Sequence, residues 1–274
     1  MKTQALWKNV ANRGRNMIFR DYEYSPAVGT SLAEMIPSLA LVCDPRVGFQ
    51  FFDDFLTLPL DDTTANPSTA KWISDTATGA ITLPKVAGGV VAVACGGVDN
   101  NETYIQFGGA ACDTCAPFSI TDVSDKALWF EARVKAVEHA DVGIFVGLAE
   151  EGSAAADFLA NNSGAVADKD FIGFNILTAT PTAWNSTWKK NGQVVATNAG
   201  VAVNADDWHT FGFYFDGEST VTFYIDGVAH ATTATTSAAT FPSAQLMAPI
   251  IAVKTGEAVA KSVQVDYLRV VQAR

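Results

Sequence analysis

Cysteine, histidine and charge are all scarce in this chain, and each scarcity removes a class of function. Four cysteines stand in 274 residues, and of these only Cys112 and Cys115 form a C-x-x-C. A structural zinc site needs a second ligand pair at similar spacing, and no Cys or His pair of that kind follows. The βαβ context of a redox dithiol is missing as well, so the thiols are expected to be free or incidental. The three histidines, His139, His209 and His230, lack metal spacing, and His209 is expected to be a strand residue facing solvent. No metal and no cofactor is expected. There is also no G-x-S-x-G elbow, no phosphate loop and no H-E-x-x-H.

Charged residues make up 17% and hydrophobic ones 49%, the balance of a chain with a substantial core rather than a disordered one. No apolar run approaches the ~18 residues that cross a bilayer, so no membrane partner is expected. The opening Met1-Lys2-Thr3-Gln4-Ala5-Leu6-Trp7-Lys8-Asn9 lacks a continuous apolar stretch with a small-residue cleavage site, and export is not expected.

The net charge of −11 is unevenly spread. Lys2, Lys8, Arg13, Arg15 and Arg20 fall in the first twenty residues with no acid among them, which leaves the remainder more acidic than the whole. A basic arm on an acidic body suits docking on an acidic partner. The acidic body repels phosphate, so nucleic acid is not an expected partner. The character of the chain changes near residue 50. Residues 1–49 carry Pro26, Pro37 and Pro45 and an aperiodic scatter of large apolar side chains (Trp7, Met17, Ile18, Phe19, Tyr22, Tyr24). Such a segment cannot build a core of its own and is read as an N-terminal arm.

From residue 50 to 274 the pattern is β. Leu128, Phe130, Ala132 and Val134 alternate with Trp129, Glu131, Arg133 and Lys135, the period of a half-buried strand. Phe211, Phe213 and Phe215 share one strand face, and Val221, Phe223 and Ile225 share the next. Asn191-Gly192, Asp216-Gly217 and Asp226-Gly227 supply the positive φ that tight hairpin turns require. A dozen or more such short segments are expected, with one helical candidate from Ser153 to Ala160. The fold class is therefore all-β: an antiparallel two-sheet jelly-roll sandwich with an extended arm.

The hairpin Trp208-His209-Thr210-Phe211-Gly212-Phe213-Tyr214-Phe215-Asp216-Gly217 … Val221-Thr222-Phe223-Tyr224-Ile225-Asp226-Gly227 resembles the concanavalin A-like lectin/glucanase superfamily. The closing Val263-Gln264-Val265-Asp266-Tyr267-Leu268-Arg269-Val270 looks like that family's last strand. Phe51-Phe52-Asp53-Asp54-Phe55 looks like its first, which returns beside the last. The superfamily contains lectins, glucanases and structural domains, so fold alone does not choose a function. Its glucanase branch sets catalytic carboxylates on one strand as Glu-x-Asp-x-x-Glu, alternate positions sharing a face. This chain has no Glu-x-Asp, and a protein without catalysis is expected.

The texture resembles bacteriophage virion proteins that carry such domains as capsid decoration, cement or fibre modules. The leading expectation is a homo-oligomeric protein of the capsid surface. Trp7, Met17, Ile18 and Phe19 of its arm would fill apolar pockets of the major capsid protein or another virion protein, while Arg13, Arg15 and Arg20 pair with acids there. The alternative is a carbohydrate-binding module of a tail or fibre that touches host polysaccharide. Trp184 and Trp188, four apart on one strand face, would stack on sugar rings with Asn185 beside them. The preferred place for both indoles is the core between the sheets or a cover over the sheet edge.

Overall fold

Strand alternation divides nearly every segment of this chain into a side for the core and a side for the surroundings. The computed structural model describes residues 48–61, 71–76, 78–108, 116–121, 126–150, 157–202, 204 and 207–274. In chain order its strands begin with β1 (Gly48–Asp53), β2 (Leu60–Asp61), β3 (Trp72–Thr76), β4 (Ala80–Thr82), β5 (Val91–Ala94) and β6 (Glu102–Phe107). Then come β7 (Phe118–Ser119), β8 (Leu128–Ala136), β9 (Val142–Glu150), β10 (Phe171–Leu177), β11 (Thr180–Lys189) and β12 (Ala196–Ala202). The last are β13 (Trp208–Phe215), β14 (Thr220–Ile225), β15 (Val228–Thr235), β16 (Leu246–Thr255) and β17 (Ser262–Ala273).

Two sheets result. The eight-stranded sheet runs β15-β14-β13-β8-β17-β5-β4, with β1 also on β17, and the nine-stranded sheet runs β12-β11-β10-β9-β16-β6-β3-β2, with β7 on β16. All described pairs are antiparallel except β2 with β3, which meet over two residues. This is the expected two-sheet sandwich. The first and last strands lie side by side: Gly48 to Asp53 pair antiparallel with Ala273 to Leu268, so the first strand does return beside the last. β1 starts two residues inside the expected arm, and residues 1–47 lie outside the described residues.

Alternation explains the core. Leu128, Phe130, Ala132 and Val134 of β8 and Phe211, Phe213 and Phe215 of β13 all point between the sheets and are buried. Phe130 stacks on Phe213 at 4.9 Å. Val142, Ile144, Val146 and Leu148 of β9 face them from the nine-stranded sheet and belong to the same cluster. The Asp226-Gly227 turn has positive φ at both residues, 52° and 77°, as a tight primed hairpin requires. The expected helix at 153–160 does not form where it can be seen. Leu159 instead bridges antiparallel to Val166, because Phe158 and Leu159 bury against the outer face of β9.

The opening Phe-Phe-Asp-Asp-Phe is an anchor. The buried Asp53 carboxylate accepts hydrogen bonds from Trp72 Nε1 at 2.7 Å and Phe55 N at 2.9 Å, and Lys71 Nζ stands 3.0 Å away. It ties the end of β1, in one sheet, to β3, in the other. Asp53→Ala is expected to cost about 3 kcal/mol, the order of a hydrogen bond to a charged group plus a stranded indole N–H. Urea denaturation with intrinsic tryptophan fluorescence measures it.

Candidate functional site

The outer faces of the two sheets are built differently. On the eight-stranded sheet, the outward half of β8 is Trp129, Glu131, Arg133 and Lys135, whose alternate neighbours fill the core. Opposite them on β13 lie Tyr214, Gly212, Thr210 and Trp208 in that order. On the other flank, β17 sets Arg269 opposite Glu131 and Tyr267 opposite Arg133, with a register shift between Val265 and Tyr267. That bulge turns Asp266 as well as Tyr267 onto the outer face, where Asp266 pairs with Arg133, the re-aiming that bulges commonly perform.

The resulting strip is aromatic and ionic. The Arg133 guanidinium lies 4.8 Å and the Lys135 ammonium 5.4 Å from the Trp208 ring, both within cation–π range. Trp129 stacks on Tyr214 at 5.0 Å. Glu131 is only 4% exposed, and its Oε1 accepts from Tyr267 Oη at 2.6 Å and Arg269 Nη2 at 3.1 Å. A buried carboxylate is tolerable when it is paired and hydrogen-bonded in this way. Burial, with Tyr214 beside it, pushes the Tyr224 phenol up to about 12. Trp129 and Tyr224 are buried, while Trp208, Tyr214, Tyr267 and Arg133 keep part of their surface open.

The outer face of the nine-stranded sheet is roofed. Segment 157–167 folds over β9 and β16, so that Phe158, Leu159 and Val166 pack with Tyr104, Phe145, Phe171, Ile250 and Ala252 in a second core. Phe145 can lie flat there because its neighbours carry no side chains: a Cβ on Gly147 or Gly173 would meet its ring at 3.0 or 2.9 Å. Buried Glu102 clamps the roof, accepting from Phe158 N at 2.8 Å and Leu159 N at 3.0 Å. Lys254, also buried, donates to Glu102 at 3.2 Å, Asp157 at 3.1 Å and the Leu159 carbonyl at 2.7 Å. Burial pushes the Glu102 carboxyl up to about 7 against the opposing pull of the two amides and Lys254. These groups serve the roof, and the eight-stranded face is the candidate site.

The residues chosen from sequence fall elsewhere. Trp184 and Trp188 do share a face, but it is the inner one: they are 0% and 7% exposed, Trp184 lying 4.6 Å from Phe211 and Trp188 stacking 5.4 Å from Phe223. Asn185 cannot join them, because the strand period turns it to the opposite face, where it is buried across from Asn175. These two indoles offer no ring to a sugar. His209 is turned inward rather than to solvent, its Nδ1 2.8 Å from Asp226 Oδ2. Cys95 is buried and free. Cys112, Cys115 and the arm residues Trp7, Arg13, Arg15, Met17, Ile18, Phe19 and Arg20 lie outside the described residues. Trp208, Arg133 and Tyr267 were missed as a site. Half the signal was in the β8 alternation, whose polar positions are as ordered as its apolar ones; the strand neighbours were not.

Residues 144–272, from β9 to β17, match the family model described as the concanavalin A-like lectin/glucanases superfamily. Among curated proteins, none matches the chain. Solved structures match across most of its length. A protein of unknown function from Shewanella oneidensis MR-1 is 14% identical over 83% of this chain and 87% of that one, with a TM-score of 0.53. A non-specific endo-β-1,3(4)-glucanase is 14% identical over 82% and 90%, with a TM-score of 0.52. An endo-β-1,4-glucuronan lyase from the fungus Trichoderma reesei is 10% identical over 80% and 94%, with a TM-score of 0.51. At these identities the likeness is one of fold. It nevertheless corrects the expectation of a protein without catalysis. The same sandwich carries a hydrolase and a lyase, so a missing Glu-x-Asp removes one arrangement of carboxylates and leaves the scaffold capable of others.

Proposed function

We propose that this protein is a bacteriophage virion-surface protein, of the capsid decoration or cement kind. In this reading residues 1–49 hold it to the shell, and the sandwich presents the outer face of the eight-stranded sheet to polysaccharide. The observation that carries the reading is that one sheet holds both the root of the arm and the aromatic strip. β1 is laddered to β17 over six residue pairs, and β17 in turn flanks β8. The strand that receives β1 is thus the same one that contributes Tyr267 and Arg269 to the strip. The charge distribution suits the same arrangement: a basic first twenty residues on a chain of net charge −11 favours an acidic surface for the arm and keeps the bodies of neighbouring copies apart. Copies repeated over a symmetric shell compensate for modest affinity in each.

Binding to particles is expected to depend on the arm. The full-length protein should co-sediment saturably with the particles, and a protein starting at Gly48, which keeps β1 whole, should not. The triple substitution Arg13→Ser, Arg15→Ser, Arg20→Ser should weaken binding and reduce its sensitivity to salt. Circular dichroism should show that the sandwich survives each change. Undiminished sedimentation of the truncated protein would sink the anchoring role.

A further inference from the structure

We propose that Lys254 and Asp157 join in an isopeptide bond within the chain, with Glu102 as the group that carries the protons. The bond fixes the roof to β16, and it stands independently of the function proposed above.

The three side chains meet at one atom. Lys254 Nζ lies 3.1 Å from Asp157 Oδ2 and 3.2 Å from Glu102 Oε2, the separation of groups held ready to react. The Lys254 side chain is 2% exposed and that of Glu102 6%, so the amine and the proton carrier both stand out of water under the roof. Desolvation of this kind is one way a lysine amine becomes a nucleophile. Glu102 is held in place by the amides of Phe158 and Leu159, and the Leu159 carbonyl, 2.7 Å from Nζ, orients the amine. Asp157 differs from both. Its side chain is 67% exposed, so a water molecule leaving it passes straight into solvent.

The step balances without a co-reactant. Nζ attacks the carboxyl carbon of Asp157, a C–N bond forms, and one C–O bond breaks. Ammonium and carboxylate together lose one water, which carries off two of the three ammonium protons; the third stays on the amide nitrogen. Glu102 takes a proton from Nζ and hands it to the departing oxygen. Burial raises its carboxyl to about 7, so near neutral pH it accepts and releases a proton with similar ease. Glu102 is not the group attacked, because both of its oxygens are committed to the roof amides. Lys261 shows what the other ion pairs lack: it also meets two carboxylates, Glu138 and Glu257, but both are exposed and neither is a desolvated proton carrier. Solvation of the Asp157 carboxylate makes the reaction slow, so fresh protein carries the ion pair and the bond accumulates from it. The product ties together positions 97 apart in sequence, a cross-link of the kind that stabilises by restricting the unfolded chain.

The test follows the intact mass of the full-length protein held at neutral pH for days. The wild type should become lighter by one water. Trypsin should then release residues 136–169 joined to residues 191–261, uncut at the acylated Lys254. Asp157→Ala and Lys254→Arg should each abolish the loss, and the exposure of Asp157 means that the first variant keeps its fold. Glu102→Gln should slow the loss by about a hundredfold, the usual worth of a positioned acid or base. Asp216-Gly217 and Asp226-Gly227 can also shed water by closing on their own backbone, and Asp157→Ala tells that reaction from this one. A wild type of unchanged mass overturns the proposal, and so does a loss that persists in Asp157→Ala.

Discussion

Replacing Trp184 with alanine is expected to cost about 3–5 kcal/mol of folding stability, the range for deleting a large aromatic side chain from a packed interior. Polysaccharide affinity should stay unchanged in the protein that remains folded. Trp184 is fully buried between the sheets, and its ring packs against Phe211 at 4.6 Å, itself tilted against Phe174 at 5.0 Å. Removing the indole leaves a cavity where β10, β11 and β13 meet, which neighbours this tightly interlocked fill only in part. Trp188→Ala is expected to behave alike and less severely, since that residue stands at 7% exposure. Urea midpoints of the two variants, set beside binding isotherms, check both halves. A stable Trp184→Ala that had lost glycan affinity would return the indole to the role the sequence suggested for it.

Lys254→Met should destabilise the protein by about 3–5 kcal/mol at pH 8, because it strands a buried carboxylate without its counter-ion. The loss should be much smaller at pH 5. Lys254 is 1% exposed and Glu102 7% exposed, and they stand opposite each other on β16 and β6. Burial raises the Glu102 carboxyl from an ordinary value of 4.5 to about 7. The folded state therefore binds this proton more readily than the unfolded chain does. The stability that the group contributes is complete below about pH 4.5 and is lost as pH climbs through about 7, the sign that linkage requires for a raised pKa. At pH 5 most Glu102 is protonated, so removal of Lys254 leaves no bare charge. Thermal midpoints of wild type and Lys254→Met across pH 5–8 test this, with Glu102→Gln as the companion that should flatten this part of the slope. An equal loss at both pH values would mean that Lys254 acts by packing alone.

Much of this protein could be read from local pattern. The period-2 runs at 128–135 and 211–225 define strands because a pleated backbone sends alternate side chains to opposite faces. The Asp-Gly and Asn-Gly pairs mark hairpins because they tolerate positive φ. From these alone came the all-β class and the two-sheet sandwich; the meeting of the Phe51–Phe55 stretch with the closing strand came from the resemblance to the concanavalin A-like superfamily.

The same rule of alternation misplaced the site. Trp184 and Trp188 were recognised as sharing a face, and so they do. Whether that face meets sugar or Phe211 and Phe223 depends on which sheet packs against β11, and no local pattern contains that. The strip of Trp208, Arg133 and Tyr267 draws on β13, β8 and β17, with 75 residues between Arg133 and Trp208 in sequence number and 59 between Trp208 and Tyr267. Only the registers Trp208 with Lys135 and Tyr267 with Arg133 bring them together, and the β17 bulge that turns Asp266 outward has no signature in the run of residues around it. The roof over β9 is the same kind of case: Ser153 to Ala160 looks helical by composition, yet Phe158 and Leu159 do better by burying on Phe145, where two glycines leave room. By itself, the sequence determined which side chains share a strand face, since that follows from the backbone's own geometry. Tertiary structure alone decided which faces look inward and which strands stand side by side, since that follows from what each face finds to pack against.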